Sequence, residues 1–215
     1  MKRISLIVPC LNEEEAIPAF KQEIDRVFKE CLEGYAPELI FVDDGSTDRS
    51  LEMIKKMAEH SPEVKFISFS RNFGKEAAIY AGLEAATGDY AAVMDVDLQD
   101  PPSLLPDMLK AIEKEGYDCA GTRRVTRQGE PLLRSFFARV FYKTIHQISD
   151  TRIVDGARDY KLMTRPVLEA LLSLKEYNRF SKGLYEWVGF RTKWFEYENV
   201  ERVAEIGRAS CRERV

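Results

Sequence analysis

Three carboxylates close a short apolar run in the stretch AVMDVDLQDPP, residues 92–102. Asp95 and Asp97 are two residues apart, so in an extended chain both side chains leave on the same side, roughly 6 to 7 Å from each other. A magnesium ion takes only one or two carboxylates from a protein and completes its coordination with water and substrate phosphate oxygens. A bare pair of this kind is more often a solvated loop, but its position directly after a strand favours a metal site.

A second acidic pair, Asp43 and Asp44, lies in the stretch VDDGSTD. Residues 44–46 favour a turn, and Thr47 or Asp48 can cap the helix that follows. A turn does not explain why two carboxylates are adjacent, because neighbouring carboxylates repel each other unless they bind a ligand. A ribose hydroxyl or a nucleobase N–H group would serve, so this segment alone is equally compatible with a turn and with a nucleoside site.

The stretch SRNFGKEAA, residues 70–78, places a glycine and a lysine at the predicted start of a helix. Gly74 permits a close backbone approach, and the free N–H groups at a helix start favour phosphate beside Lys75. A strand-to-helix loop with an ordinary exposed lysine is the simpler interpretation of this segment taken alone.

Basic residues are concentrated between Gly121 and Gln147. The basic residues of this segment are Arg123, Arg124, Arg127, Arg134, Arg139 and Lys143. Glu130 is the single acidic residue, so the segment has a local excess of five positive charges. A helix predicted from about Leu132 to Ile148 carries an apolar stripe that includes Phe137 and Phe141. A basic helix with exposed aromatic residues is typical of a membrane interface beside anionic lipid, although packing of these two phenylalanines in the core is slightly favoured.

The elements that must position these residues alternate along the chain. The runs ISLIVPC, ELIFVDD, VKFISFS and YAAVMD are strand-like, and a helix-like amphipathic stretch follows each of them. This order predicts an α/β fold in which helices cover both faces of a parallel sheet and ligands bind beyond the carboxyl ends of the strands. The polar residues after the four strands should therefore converge on one rim.

The second half of the chain has a looser pattern. After Glu115 it predicts the helix over 132–148, a turn at VDGARD, a helix from Pro166 to Lys175 and a final strand in TKWFEYENVER. We expect a single domain, since 215 residues with 45% hydrophobic side chains can bury a sizeable core.

Charge and cysteine content exclude several classes of protein. A net charge of −4 argues against a general nucleic-acid binder, because phosphate backbones select a basic face. The four cysteines show neither disulfide nor zinc spacing with the two histidines, which favours a reducing cytosol. The N-terminal MKRISLIVPC is typical of a first strand rather than a signal peptide, and no stretch is long and apolar enough to span a bilayer.

Taken together, VPCLNEEE, VDDGSTDRS, RNFGKEAAIYAGLEAATGDY and MDVDLQDPP resemble the inverting glycosyltransferases of the GT-A fold that use a nucleotide sugar. GARDYKLMTR, NRFSKGLYEWVGF and FEYENVERVA look like the bacterial polyprenyl-phosphate glycosyltransferases, relatives of dolichol-phosphate mannose synthase and of bactoprenol glucosyltransferases. The resemblance covers Met1 to about Ala204. It implies a GT-A (Rossmann-like), mostly parallel sheet flanked by helices.

The resemblance also implies roles for individual residues. The nucleotide-sugar-binding set would be Pro9, Asn12, Glu13, Asp43, Asp44, Asn72, Lys75, Asp95 and Gln99, with Gln99 facing the sugar. Asp95 and Asp97 would hold Mg²⁺ or Mn²⁺ on the diphosphate, and Asp97 would also count as catalytic. The acceptor phosphate would bind Arg123, Arg134, Ser135 and Arg202. Asp159 matches an acidic position associated with catalysis, and a difference of one residue in its spacing to Asp155 leaves the choice between the two open.

The activity that the resemblance implies is transfer of a hexose, with inversion, from a nucleotide sugar to undecaprenyl or another polyprenyl phosphate at the cytoplasmic face of the cell membrane. A UDP-sugar such as UDP-glucose is the expected donor. The expected partners are the nucleotide sugar, the lipid phosphate and the membrane surface, with no nucleic acid and with a homo-oligomer left open.

Rival functions predict other sequence features. A nucleotidyltransferase would need a glycine-rich basic loop after the first strand, where NEEEAIP is acidic, and a dinucleotide-dependent dehydrogenase would need GxGxxG, which is absent. A non-catalytic scaffold would keep the fold but bind no metal-nucleotide. A nucleotide-sugar-binding protein is a further alternative.

The last residues, EIGRASCRERV at 205–215, have no apolar period. They depart from the resemblance where such proteins continue with a Gly-x-Ser/Thr-Lys segment and two membrane helices. We expect residues 1–204 to be the catalytic domain without those helices, which would leave this chain soluble, and residues 205–215 to be a non-native tail.

Overall fold

A computed structural model describes residues 1–124, 154, 156–176 and 178–197 of the chain. The predicted helix over 132–148 lies outside the described residues, as do Arg134, Ser135, Asp155, Arg202 and the segment 205–215.

Four strands near the N-terminus form the parallel half of the sheet. They are β1 (Lys2–Cys10), β2 (Tyr35–Asp43), β3 (Val64–Ser68) and β4 (Tyr90–Val93), all at positions predicted from apolar runs. Residues 4–8 of β1 and 38–43 of β2 are buried without a break, as expected for strands covered on both faces. The register aligns Cys10 with Asp43 and Asp43 with Ser68, so three strand ends meet at one edge.

Three further strands complete the sheet. They are β5 (Cys119–Arg124), β6 (Ala157–Thr164) and β7 (Thr192–Tyr197), and the strand order is β3-β2-β1-β4-β6-β5-β7. Strand β6 runs antiparallel to both of its neighbours, β4 and β5, whereas β7 is parallel to β5. The mostly parallel sheet is confirmed.

The direction of β6 corrects one prediction and has a consequence for the site. Residues 157–159 of the predicted VDGARD turn are the first residues of this strand. Because β6 is antiparallel, its first residues lie at the edge where the parallel strands end. Asp159 is thereby carried to the rim that holds the other polar loops.

Helices cover both faces of the sheet. They are α1 (Ala16–Cys31), α2 (Ser50–His60), α3 (Lys75–Ala85), α4 (Leu105–Glu115), α5 (Arg165–Ser173) and α6 (Ser181–Trp187), with a short 3-10 turn at Pro102–Leu104. The helix predicted from Pro166 to Lys175 therefore ends two residues earlier. Among the described residues, no helix combines the length and the apolar character needed to cross a membrane.

Two clusters of apolar side chains form the core, one on each face of the sheet. Phe20, Ile24 and Val27 of α1 pack on one face, and Ile79 and Leu83 of α3 pack on the other. Their spacing of three and four residues is what gives each helix an apolar stripe. Gly82 lets α3 approach β1, since a Cβ atom there would lie 2.3 Å from Cγ2 of Ile7.

Candidate active site

The loops after β1 and β2 are joined by hydrogen bonds from side chains to backbone. The amide oxygen of Asn12 accepts the N–H of Thr47 at 2.8 Å, and the N–H of Asn12 donates to the hydroxyl of Ser46 at 3.0 Å. The carboxylate of Glu14 accepts the N–H of Arg49 at 2.9 Å. Asn12 thus holds the two loops together, and its positive φ of 55° places its backbone in the left-handed region that asparagine tolerates.

Asp43 and Asp44 are buried and hydrogen-bonded to backbone N–H groups. Asp44 accepts from Phe73 at 2.7 Å and from Gly74 at 3.0 Å, while Asp43 accepts from Ser46 at 3.3 Å. These N–H groups stabilise both carboxylates, so the pair avoids repulsion without a ligand, and its contact with a nucleoside stays a prediction. The pair fixes the loops around the rim.

The close approach of the β2 and β3 loops depends on a glycine. A Cβ atom at Gly45 would lie 2.6 Å from the carbonyl carbon of Arg71, and Gly45 has a φ of 76°. The conformation and the space both require glycine here. This contact brings the segment 71–74 against the edge of β2.

The acidic segment after β4 is a turn rather than an extension of the strand. The strand ends at Val93, Leu98 has a positive φ of 56°, and the N–H of Gln99 donates to Oδ1 of Asp97 at 3.2 Å. The spacing predicted for Asp95 and Asp97 assumed an extended chain, and that assumption is wrong. Asp97 is nevertheless brought to the rim and is 7% exposed.

Lys75, the first residue of α3, connects Asp95 to Asp159. Its Nζ lies 2.6 Å from Oδ1 of Asp95 and also forms an ion pair with Oδ2 of Asp159. Lys182 lies 3.7 Å from the other oxygen of Asp159. A chain of alternating charge therefore runs across the rim.

The charged side chains in this row stabilise each other's charged forms. Burial opposes the charge on Lys75, but the carboxylates of Asp95 and Asp159 outweigh it and raise the pKa of this lysine. Burial likewise favours the neutral form of Asp159, but Lys75 and Lys182 outweigh it and lower the pKa of that carboxyl group. Both groups are charged at neutral pH, so Asp159 is a weak proton acceptor.

The sequence did not predict that Lys182, or the residues that hold it in place, would lie at the site. Glu76, in the first turn of α3, accepts a hydrogen bond from the N–H of Ser181 at 3.1 Å and another from its hydroxyl. These contacts fix the start of α6 beside the site. The signal was present in the serine–lysine pair of the stretch NRFSKGLYEWVGF, but only the tertiary structure brings it to Asp159.

A buried cluster behind the acidic turn was also missed. Arg158 donates from Nε to Oδ1 of Asp100 at 3.1 Å and from a terminal nitrogen to Oε1 of Gln99 at 3.2 Å, and the hydroxyl of Tyr197 donates to Asp100. Burial raises the pKa of Asp100, although Arg158 and Tyr197 oppose that shift. The cluster links the turn after β4 to β6 and β7 and fixes the side chain of Gln99.

A cleft of about 250 Å³ opens at this edge of the sheet. Predicted residues that line it are Pro9, Glu13, Asp44, Asn72, Lys75, Asp95 and Asp97. Asp159 adjoins it through Lys75, whereas Asn12, Asp43 and Gln99 contribute to the surrounding loops. Most of the described donor-site residues are thus brought together.

Arg123 has a different environment. It does not line the cleft, and its guanidinium donates to the carboxylate of Glu196 at 3.0 Å, which lies opposite it in the pairing of β5 with β7. The other three predicted acceptor-phosphate residues lie outside the described residues, so the acceptor side of the site is represented by Arg123 alone.

The donor set fits a metal that shares its coordination with a substrate. In the part of the chain that the structure describes, no three histidine, cysteine, aspartate or glutamate side chains form a group able to hold a metal ion. Asp95 and Asp97 supply two carboxylates to the lining of the cleft, which suits Mg²⁺ or Mn²⁺ when phosphate oxygens and water fill the remaining positions.

Comparison with known proteins shows that the chain is similar to a family of enzymes. Residues 5–172 match the family model described as glycosyl transferase family 2. A Bacillus subtilis (strain 168) protein named "Putative glycosyltransferase CsbB" is 44% identical over 199 residues, which are 93% of this chain and 59% of that protein. The bactoprenol glucosyl transferase of Shigella phage SfV is 42% identical over 206 residues, 96% of this chain and 66% of that protein. The chain therefore spans roughly six tenths to two thirds of the length of these curated relatives.

Solved structures agree in fold. The mannosyltransferase PcManGT from Pyrobaculum calidifontis, solved in complex with GDP-Man and Mn²⁺, has a TM-score of 0.61 at 22% identity and aligns with 96% of this chain and 58% of its own. Glucosyl-3-phosphoglycerate synthase from Mycobacterium tuberculosis, in a complex with Mn²⁺, UDP-glucose and phosphoglyceric acid, has a TM-score of 0.59 at 21% identity, over 95% of this chain and 73% of its own. The expected GT-A fold is confirmed. The chain belongs to glycosyl transferase family 2.

Proposed function

We propose that this chain is the catalytic domain of a metal-dependent glycosyltransferase that transfers a hexose, with inversion, from a nucleotide sugar to a polyprenyl phosphate. The donor is UDP-glucose or another UDP-sugar, and the acceptor is undecaprenyl phosphate or a similar lipid. The observation that carries the proposal is the meeting of Asp95, Asp97 and Lys75 in one cleft at the carboxyl ends of the strands. The names of the bactoprenol glucosyl transferases support the choice of sugar and acceptor.

The nucleoside end of the donor would lie against the first loops. Pro9, Glu13 and Asp44 line the cleft and would contact base and ribose, with Asn72 nearby. Asn12 and Asp43 act by holding the loops in place, since their side-chain acceptors are engaged by neighbouring backbone groups. Gln99, fixed by Arg158, would face the sugar.

The diphosphate end would lie at the acidic turn. Asp95 and Asp97 would hold Mg²⁺ or Mn²⁺, and the bound ion supplies Lewis-acid stabilisation of the departing nucleoside diphosphate. Lys75 supplies a further positive charge at the start of α3, where free backbone N–H groups also favour phosphate. The Mn²⁺ complexes of proteins with this fold support a divalent ion.

The acceptor does not need a strong general base. A phosphate monoester has a second pKa of about 6, so it is mostly ionised at neutral pH and can act as the nucleophile directly. The lowered pKa of Asp159 and its two ion pairs fit an electrostatic role better than proton abstraction. Asp155, the other candidate for the catalytic acidic residue, lies outside the described residues.

Binding two anionic substrates side by side requires cations. Arg123, Arg134, Ser135 and Arg202 would hold the acceptor phosphate through charge-assisted hydrogen bonds. The excess of positive charge between Gly121 and Gln147 supports this assignment and also contact with anionic lipid. A lipid acceptor would place the protein at the cytoplasmic face of the cell membrane.

The proposal is tested by incubating the chain with a panel of UDP- and GDP-sugars, a short-chain polyprenyl phosphate and Mn²⁺ or Mg²⁺. We expect transfer from a UDP-hexose that stops when EDTA removes the metal. Binding of the nucleotide sugar without transfer to any lipid phosphate would favour a nucleotide-sugar-binding protein instead.

A further inference from the structure

Lys75 occupies the position of a competing cation at the predicted metal site. Its Nζ is 2.6 Å from an oxygen of Asp95, and the same nitrogen pairs with Asp159. The three side chains remain accessible, at 43% for Lys75, 23% for Asp95 and 21% for Asp159. A ligand that enters the cleft can therefore reach this ion pair.

We propose that Lys75 is an internal counter-ion that competes with the metal for Asp95 and exchanges this carboxylate for a diphosphate oxygen when the donor binds. The inference rests on the proposed function, because it requires a divalent ion and a nucleoside diphosphate in the cleft. It makes Lys75 the residue that couples metal binding to nucleotide binding.

The competition follows from charge and from hydrogen bonding. The ammonium group engages Oδ1 of Asp95 and adds a positive charge beside the carboxylate that a divalent ion would need. In the absence of nucleotide, a metal that binds this carboxylate either displaces the contact or lies beside the ammonium group and is repelled by it. A lysine ammonium on a flexible stem can change partners without movement of the helix that carries it.

Asp159 gives Lys75 a partner that it can keep during the exchange. Lys75 and Lys182 bind different oxygens of this carboxylate, and Lys182 is held nearby because Glu76 binds the first residue of α6. Lys75 therefore retains one ion pair when it releases Asp95. Its free donors can then bind a phosphate oxygen, for which lysine is a common ligand.

This exchange makes metal and nucleotide binding cooperative. The diphosphate supplies the replacement partner that Lys75 lacks when the metal arrives alone, so each ligand strengthens the binding of the other by the same factor. The proposal predicts weak Mn²⁺ binding to the chain alone and tighter binding with UDP.

The test measures Mn²⁺ binding by the loss of the free-ion EPR signal, first without nucleotide. Lys75→Met should tighten Mn²⁺ binding by up to about fivefold, since Lys75 is 43% exposed and a solvent-screened ion pair is worth about that factor in an equilibrium constant. Lys75→Arg keeps the positive charge and should tighten Mn²⁺ binding less than Lys75→Met does, and Asp95→Asn should weaken binding. Circular dichroism identifies any variant that fails to fold.

The second measurement repeats the titrations with UDP present and corrects them with a protein-free titration, because UDP alone also binds Mn²⁺ and removes part of the free-ion signal. UDP should tighten Mn²⁺ binding in the wild type and in Lys75→Arg, and this coupling should fall by up to about fivefold in Lys75→Met. When Lys75 is present, Asp159→Asn should weaken Mn²⁺ binding measured without nucleotide, because Asp95 is then the only carboxylate paired with Lys75. In the Lys75→Met background the same substitution should have little effect. This loss of effect separates action through Lys75 from a general change of charge.

The outcomes distinguish the inference from the proposed function. Wild-type chain that binds no Mn²⁺ even with UDP would contradict the proposed function, and the inference with it. Wild-type chain that binds Mn²⁺ with UDP, together with a folded Lys75→Met variant of equal or weaker Mn²⁺ affinity and undiminished UDP coupling, would overturn the inference alone.

Discussion

The guanidinium of Arg158 donates a hydrogen bond at 3.1 Å to the fully buried carboxylate of Asp100. Asp100 follows the acidic turn after β4, and Arg158 is the second residue of the antiparallel strand β6. The same guanidinium reaches Gln99. One arginine therefore sets the position of the turn that carries Asp97 relative to the strand that carries Asp159.

Loss of Arg158 should destabilise the protein strongly. Arg158→Gln leaves the carboxylate of Asp100 buried without its charged partner, and breaking a buried pair in this way costs about 3 to 5 kcal/mol. Urea unfolding measures the change. The double variant Asp100→Asn with Arg158→Gln should recover part of the loss, and a double variant as unstable as the single one would contradict this account of the pair.

Asp44 should stabilise the loop that borders the cleft. Asp44→Ala leaves the N–H groups of Phe73 and Gly74 without their acceptor, which should lower the free energy of unfolding by about 1 to 3 kcal/mol. Affinity for UDP should fall as well, because the loop includes Asn72 of the cleft lining. Calorimetry with UDP measures this, and Asp44→Asn, which keeps one acceptor oxygen, should have the smaller effect on both quantities.

Glu38 should make stability depend on pH in the acid range. It is buried in β2, and although burial opposes its charge, hydrogen bonds from Lys65, Ser5 and Thr87 lower its pKa from 4.5 to about 2. A carboxyl group with a depressed folded-state pKa stabilises the fold above its unfolded pKa and loses that contribution as the pH falls towards the folded value.

The pH range for the Glu38 measurement is therefore 4.5 down to about 2. The wild type should lose up to roughly 3 kcal/mol of stability from this group across it. Glu38→Gln should be less stable at neutral pH and should show a flatter dependence. Thermal melts of both proteins at intervals through this range provide the comparison, and parallel curves would contradict the assignment.

Removal of the second carboxylate of the acidic turn should abolish transfer. Asp97→Ala takes away one of the two proposed metal ligands, so we expect no detectable transfer from a UDP-hexose to a polyprenyl phosphate while the circular dichroism spectrum stays unchanged. Asp107→Ala, in the first turn of α4 and outside the cleft lining, is the matched control and should remain active. Near-normal turnover by a folded Asp97→Ala variant would contradict its assigned role.

The parallel half of the fold could be predicted from the sequence because each strand is an apolar run that ends in polar residues. The rule that parallel strands present their carboxyl ends at one edge then brought together Glu13, Asp44, Lys75 and Asp97. Strand β6 was different. It begins just after a glycine with Ala157, Arg158 and Asp159, a pattern that predicts a turn at VDGARD. The antiparallel direction of the strand depends on its pairing with β4, which no local sequence pattern shows.

The partners of individual side chains were less predictable than their positions. Asp43 and Asp44 suggested a ligand, since local sequence does not show that N–H groups from a loop almost thirty residues away reach Asp44. The contacts of Lys75 with Asp159 and of Glu76 with Ser181 join residues separated by 84 and 105 positions. Such contacts arise from the packing of α3 and α6 on the same face of the sheet.

The central claim is that the acidic turn binds a divalent ion against the diphosphate of the donor. Crystals of the chain grown with a UDP-sugar and Mn²⁺, with anomalous scattering recorded at the manganese edge, test it most directly. The account predicts one strong anomalous peak at the carboxylates of Asp95 and Asp97, in contact with the diphosphate. A bound nucleotide with the manganese peak elsewhere, or with none, would contradict it.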